Sequence, residues 1–190
     1  LTVWLRDVPF SPNKEVQNRI RGAALRVSEW SHKNKELSVK TAQRLARKKL
    51  GIVSRRDLFL LGLGLYIGEG TKSRGNVRVI NSDPRVVSLA VRWFEEIFGL
   101  KTKNFSLTIH LYPDNDIEEA LNFWAHATGI PRGQFGKVQI DRRKKKLKKR
   151  GMLQYGTAQL RVHSRGEKKF GVLLFRIIIA LIDEAYRQND

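Results

Sequence analysis

The chain has 190 residues, enough for one ordinary core with a small appended unit. It contains no cysteine, which excludes disulfides and thiolate metal sites, and its four histidines (His32, His110, His126, His163) lie too far apart in sequence to suggest a zinc site. The formal charge of +19 divides into +10 over residues 1–56, −1 over 57–136 and +10 over 137–190, so a neutral body sits between two basic blocks that suit a polyanion such as a phosphate backbone or an anionic lipid surface.

The opening "LTVWLRDVPFSP" has mixed charge and no apolar leader core. Without an initiator Met it reads as the tail of a processed or truncated segment, ending in a Ser-Pro helix start. Residues 12–50 predict helix: Val16, Ile20, Ala23, Val27 and Trp30, then Ala42, Leu45, Ala46 and Leu50, recur at three- and four-residue steps before Gly51. The polar stretch 31–38 predicts a break. Ser54 followed by Asp57 is a capping-box pattern that opens a second helix through "LFLLGLGLYIGEG". "NVRVI" (76–80) predicts a short strand. Asp83-Pro84 starts a helix ending near Gly99.

"FSLTIHL" (105–111) alternates, with Phe105, Leu107, Ile109 and Leu111 on one face and Ser106, Thr108 and His110 on the other. A helix over 117–128 stops at Gly129-Ile130-Pro131. "FGKVQID" (135–141) and "TAQLRVH" (157–163) alternate again. Val138, Ile140, Ala158, Leu160 and Val162 are expected to face in; Lys137, Gln139, Gln159, Arg161 and His163 are expected to face out. A last helix fills about 167–187. The apolar runs 58–67 and 172–182 are far shorter than the ~20 residues of a spanning helix. The sequence therefore predicts a soluble, intracellular (cytoplasmic or nucleoid) nucleic-acid-binding protein of class α+β. Its parts are a basic helical extension (1–52) and a mixed domain (53–190) whose sheet is open on one face.

On that open face the outward side chains are basic, amide or hydroxyl, with Asp141 the one acid, at a strand end. Such side chains suit base edges and phosphates in a groove of duplex DNA. The run "DRRKKKLKKRG" between the last two strands (Arg142, Arg143, Lys144, Lys145, Lys146, Lys148, Lys149, Arg150) suits binding to the phosphate backbone. In the glycine-rich helix, Gly64 and Gly68, with Gly62 near the same side, would strip one face bare and permit close approach of another helix. That partner is expected to be a second copy in a two-fold dimer; the alternative is a helix of the same chain. In the dimer the two Glu69 carboxylates would meet and call for a hard cation such as Mg²⁺, an arrangement suited to metal-assisted phosphodiester hydrolysis. Thr71 and Lys72 follow as candidate phosphate ligands.

"LGLGLYIGEGTK" (61–72) resembles the signature helix of the LAGLIDADG homing endonucleases, in the variant ending Gly-Glu-Gly. "VRVINSDPRVVSLAVRWFEEIFGL" (77–100) and "LRVHS" (160–164) are similar to that family's strand-then-helix unit and final strand. The resemblance implies an αββαββα core with an antiparallel or mixed four-stranded sheet in the DNA major groove. It also implies a homodimer on a near-palindromic site, a divalent cation held by Glu69 with the Gly70 backbone at its side, and a basic catalytic residue, here Lys137, with Lys168 and Lys169 as alternatives. The proposed readers are Arg78, Lys137, Gln139, Gln159, Arg161 and His163 together with the 142–150 run. Three departures stand out: one strand where the family has two before the second helix, an inserted helix at 117–128, and an N-terminal part similar to the end of a helix-turn-helix region. The expected activity is sequence-specific DNA cleavage. The alternative is a non-cleaving DNA-binding transcriptional regulator on the same fold, and an RNA target is remote.

Overall fold

The computed structural model describes residues 13–73, 75–142 and 153–189. The chain divides into two compact units, Leu1–Ile52 and Val53–Asp190. In the first, helix α1 runs unbroken over Lys14–Leu50. Asn13 caps it, its side chain accepting from the Val16 N–H at 2.9 Å; the Ser-Pro start lies outside the described residues. Glu15 in the first turn and Arg47, Lys48 and Lys49 in the last complement the helix dipole. The expected break at 31–38 is absent. Glu36 and Lys40, one turn apart, pair at 2.6 Å across its end, and Lys33, Lys35 and Leu37 are good helix formers that outweigh the polar residues among them. No residue of α1 is buried.

The second unit is mixed α+β. Helix α2 (Arg55–Glu69) opens with the expected capping box: Ser54 Oγ accepts from the Asp57 N–H, and the Asp57 carboxylate accepts from the Ser54 N–H at 2.8 Å. Strand β1 (Arg78–Asn81), helix α3 (Pro84–Phe98), strand β2 (Phe105–Leu111), helix α4 (Ile117–Thr128), strand β3 (Gln139–Ile140), strand β4 (Thr157–Val162) and helix α5 (Val172–Arg187) follow. The described residues thus hold five helices and a four-stranded mixed sheet of order β1-β4-β2-β3. β4 is antiparallel to both β1 and β2, and β3 lies parallel to β2.

One core holds the unit together. Leu58 and Tyr66 of α2, Val87, Trp93 and Phe94 of α3, Trp124 of α4 and Leu174, Ile178 and Ile182 of α5 pack with the inward residues of the strands. Those inward residues are Val79, Phe105, Leu107, Ile109, Leu111, Ala158, Leu160 and Val162, all buried. At ~1.5–3 kcal/mol for each large apolar side chain removed from water, this one-sided burial fixes the register, since a one-residue slip would turn every one of them outward. Two expectations fail at β3. The strand is two residues rather than seven, and Ile140 is exposed while Val138 alone of the pair packs against the core. The pairing offset with β2 changes by one residue between the Leu107–Phe135 bridge and the His110–Gln139 pair. An extra residue there turns the following side chains out of alternation.

Candidate nucleic-acid interface

Alternation along three strands leaves a second face that the helices do not cover. Strand register sorts it into rows. Arg78 lies opposite Arg161, which lies opposite Ser106; Ile80 lies opposite Gln159, which lies opposite Thr108. At the far end Thr157 pairs with His110, and His110 with Gln139. Each row therefore crosses three strands, and neither Asp nor Glu appears in any of them. Neighbouring strands are ~4.8 Å apart, so a row presents its side chains at that interval across the face.

The end of the face nearest Arg161 is braced. Asn104 is buried; its amide donates to the His163 carbonyl at 2.9 Å and its carbonyl accepts from the Lys101 N–H at 3.0 Å. The His163 ring nitrogen Nε2 and Ser106 Oγ share a hydrogen bond of 2.7 Å. Partial burial, with Arg161 and Arg165 nearby, holds the His163 imidazole below its usual pKa and favours the neutral ring. Arg161 Nη2 reaches Asn76 Oδ1 at 3.4 Å. Arg78 Nε and His110 Nε2 are buried without hydrogen-bond partners among the described residues, which leaves two polar atoms on this face with capacity those residues do not use. At the opposite end Ile80, His110, Tyr112, Gln139, Ile140 and Thr157 line a hollow of about 380 Å³ to which all four strands contribute.

Among the expected readers, Arg78, Gln159, Arg161 and His163 share this face. Gln139 stands at its edge, exposed. Lys137 is exposed in the segment leading into β3, and Arg142 is exposed just beyond it. Arg143, Lys144, Lys145, Lys146, Lys148, Lys149 and Arg150 lie outside the described residues. Ser106, Thr108, His110 and Thr157 belong to the same rows without being among the expected readers, although their alternation is plain in the sequence. Ile80 and Ile140 carry no such signal, because an isoleucine in a strand is expected to face the core.

Glu69 ends α2 and is exposed. Gly70 is buried as the helix C-cap, where an added Cβ would lie 2.5 Å from the Tyr66 ring, and it bridges to Val79. The Thr71 N–H continues that pairing to the Arg78 carbonyl at 3.0 Å, and the Tyr66 hydroxyl donates to the Thr71 carbonyl at 2.8 Å. Lys72 turns back and donates to the Ile67 carbonyl, capping the helix end. Lys169 is engaged with Glu167 and lies over the Phe170 ring.

The three seam glycines separate. Gly62 is buried against α3, and a Cβ there would sit 2.0 Å from the Trp93 indole. The expectation that Gly62 faces a second copy is therefore corrected: its missing side chain makes room for Trp93 of the same chain. Gly64 and Gly68 are exposed, with no atom within 4 Å of an added Cβ. Leu60 and Leu61 are about half exposed alongside them. Among the described residues no group of three or more His, Asp or Glu side chains could hold a metal ion within one chain, and no helix is long and apolar enough to cross a membrane. No protein-family model, curated protein or solved structure matches the chain.

Proposed function

We propose that the protein is a homodimeric, divalent-metal-dependent, sequence-specific endonuclease of double-stranded DNA, built on a LAGLIDADG-type core. The observation that carries this reading is the pairing of two surfaces: a sheet face whose cross-strand rows carry basic, amide and hydroxyl groups and no acid, with Asp141 at its edge, and an exposed glycine face on α2 that ends at Glu69. Glycine costs about 1 kcal/mol relative to alanine in a helix. Packing within the chain accounts for that cost at Gly62 but not at Gly64 or Gly68, so close approach of a second copy is the compensation.

The order of elements supports the family reading. The Gly70–Val79 bridge and the Thr71–Arg78 hydrogen bond add a residual strand between α2 and β1, so α2 is followed by two paired segments and then α3. α4 and β3, inserted between β2 and β4, are additions to that pattern. One exposed carboxylate per chain stands at the end of α2, and two such carboxylates brought together by the proposed dimer would suit a hard cation. Mg²⁺, when bound, supplies Lewis-acid stabilisation of phosphate oxygens in phosphodiester hydrolysis. The chain's own residues do the rest. Glu69 brings negative charge to the seam, the sheet rows orient the duplex, and the exposed Lys137 is the candidate basic group for the scissile phosphates.

Cleavage of DNA spanning the empty insertion locus of the protein's own gene tests the proposal, with Mg²⁺ and with EDTA. A Mg²⁺-dependent double-strand cut is expected. Glu69→Gln keeps the shape and drops the charge, so it should bind that DNA as wild type does and lose ~10²–10³ in cutting rate, the scale of removing a principal charge-stabilising group. A variant that still cuts removes Glu69 from the metal site. Tight binding with no cut by either protein gives the regulator instead.

A further inference from the structure

Helix α1 presents a longer pattern than a single amphipathic stripe. We propose that α1 forms a parallel, two-stranded coiled coil with α1 of a second copy. This rests on a different helix from the α2 seam and shares with the endonuclease reading only the two-fold dimer.

From Val16 the helix carries a strict alternation of four- and three-residue steps through Thr41. Written as heptads, Val16, Ala23, Trp30 and Leu37 take the d positions. Ile20, Val27, Asn34 and Thr41 take the a positions. The pattern ends there, because the next d position is Arg44. A 3.5-residue period held over 26 residues, ~39 Å of helix, is a coiled-coil seam rather than the 3.6-residue stripe of a helix on a globular core. None of the seam is buried: its large apolar residues are exposed, from 39 % at Val16 to 69 % at Trp30.

The polar residues choose the partner and its direction. Asn34 is the one amide in the seam, at an a position, where a like amide opposite sets register and a two-stranded state. The stretch around it reads as a helix break because its seam residue is polar, yet the helix is continuous. The g positions flanking the seam are all basic: Arg19, Arg26, Lys33 and Lys40. In an antiparallel pair these would face one another, a row of like charges. In a parallel pair each faces the e position of the next heptad, namely Ala24, Ser31, Ser38 and Leu45, all uncharged. Charge therefore selects the parallel arrangement.

The absence of cysteine makes the test clean. Single cysteines are placed in the full chain by Ala23→Cys and Leu37→Cys in the seam and Ser28→Cys outside it, and each variant is oxidised without DNA. In a parallel coil both seam cysteines sit level with their mates and should become covalent dimer in the majority of molecules, while Ser28→Cys stays monomeric on a non-reducing gel. An antiparallel coil centred on the seam would separate the Ala23→Cys mates by about 16 Å along the axis, beyond disulfide reach. Absence of crosslinking at both seam positions, or equal crosslinking at position 28, overturns the proposal even where sedimentation shows a dimer. Repeating the experiment in a Gly64→Leu background separates the two seams. Crosslinks that persist place α1 pairing independently of α2, and crosslinks lost only there show that α1 pairs as a passenger of the α2 seam and overturn it as a dimer element of its own.

Discussion

A methyl group added to α2 meets opposite surroundings at Gly62 and at Gly64, two residues on, and the difference separates packing within the chain from the packing between chains proposed above. At Gly62 it would overlap the Trp93 indole, which is wholly buried, donates to the Phe59 carbonyl at 3.2 Å and packs against Phe94 and Phe98 at ring-centre distances of 4.9 and 5.0 Å. Trp93 has no room to retreat, so Gly62→Ala is expected to destabilise by about 2 kcal/mol, lowering Tm by roughly 4–8 °C. Gly64→Ala meets no described residue within 4 Å and should leave Tm of the isolated chain unchanged or raise it by a few degrees through helix propensity, whereas Gly64→Leu should open the α2 seam and halve the sedimenting mass of the unit Val53–Asp190 taken without α1. Equal melting shifts for the two alanine variants would refute the assignment of the two faces. His163 offers a second residue-scale measurement. Its folded pKa lies below the unfolded value of ~6.5, so between the two the unfolded chain binds more protons and stability rises with pH. The contribution is complete above pH ~6.5 and is lost as pH falls through the folded value. Plots of Tm against pH should therefore fall less steeply below pH 6.5 for His163→Gln than for wild type, and parallel plots would show that the ring is not held neutral by the fold.

At the scale of elements, what the sequence discloses is whatever is encoded locally. The bounds of α3 and α4 are readable because Asp83 and Asp116 cap them through their own side chains, accepting from Arg85 and Glu119 N–H groups at 2.9 and 2.8 Å, and because Gly99 and Gly129 end them at φ +73° and +69°. β2 and β4 are readable because burial on one face leaves a period of two. β3 is not. Its two residues are placed by parallel pairing to β2, a long-range interaction that no local pattern carries, and the extra residue before it sends Ile140 outward. The break expected in α1 fails for a related reason: polarity reads as an interruption, yet no residue of this helix is buried, so polar residues cost it little. The same limit holds at the candidate site. Rows such as Arg78, Arg161 and Ser106 exist only in the register between strands, so the sequence shows which residues point outward but not which of them stand side by side. Gly62 and Gly64 likewise look alike until Trp93 is brought against one of them.

For the whole molecule, the proposed DNA-binding function assigns affinity and recognition to different parts of the charge distribution, a division that binding curves can read. The run 142–150 holds eight basic residues, while the sheet rows hold few charges among hydroxyls, amides and imidazoles. Neutralised phosphates set the salt dependence, each adding about 0.9 to the slope of log K against log salt on duplex DNA, whereas hydrogen bonds to base edges discriminate among sequences by ~1–3 kcal/mol each. Replacing the eight basic residues by glutamine should therefore weaken binding to the target and to unrelated duplex by the same factor, and flatten the salt slope by about 0.9 for every phosphate that the run neutralises. Gln159→Ala should do the reverse: the slope stays, binding to unrelated duplex stays, and affinity for the target falls roughly 5- to 150-fold, the equivalent of that ~1–3 kcal/mol. Competition titrations at three salt concentrations with both variants read all three quantities: target affinity, affinity for unrelated duplex and salt slope. Loss of target preference in the neutralised variant would place the basic run in a groove rather than on the backbone, and an unchanged target affinity in Gln159→Ala would take the central row of the sheet out of base recognition.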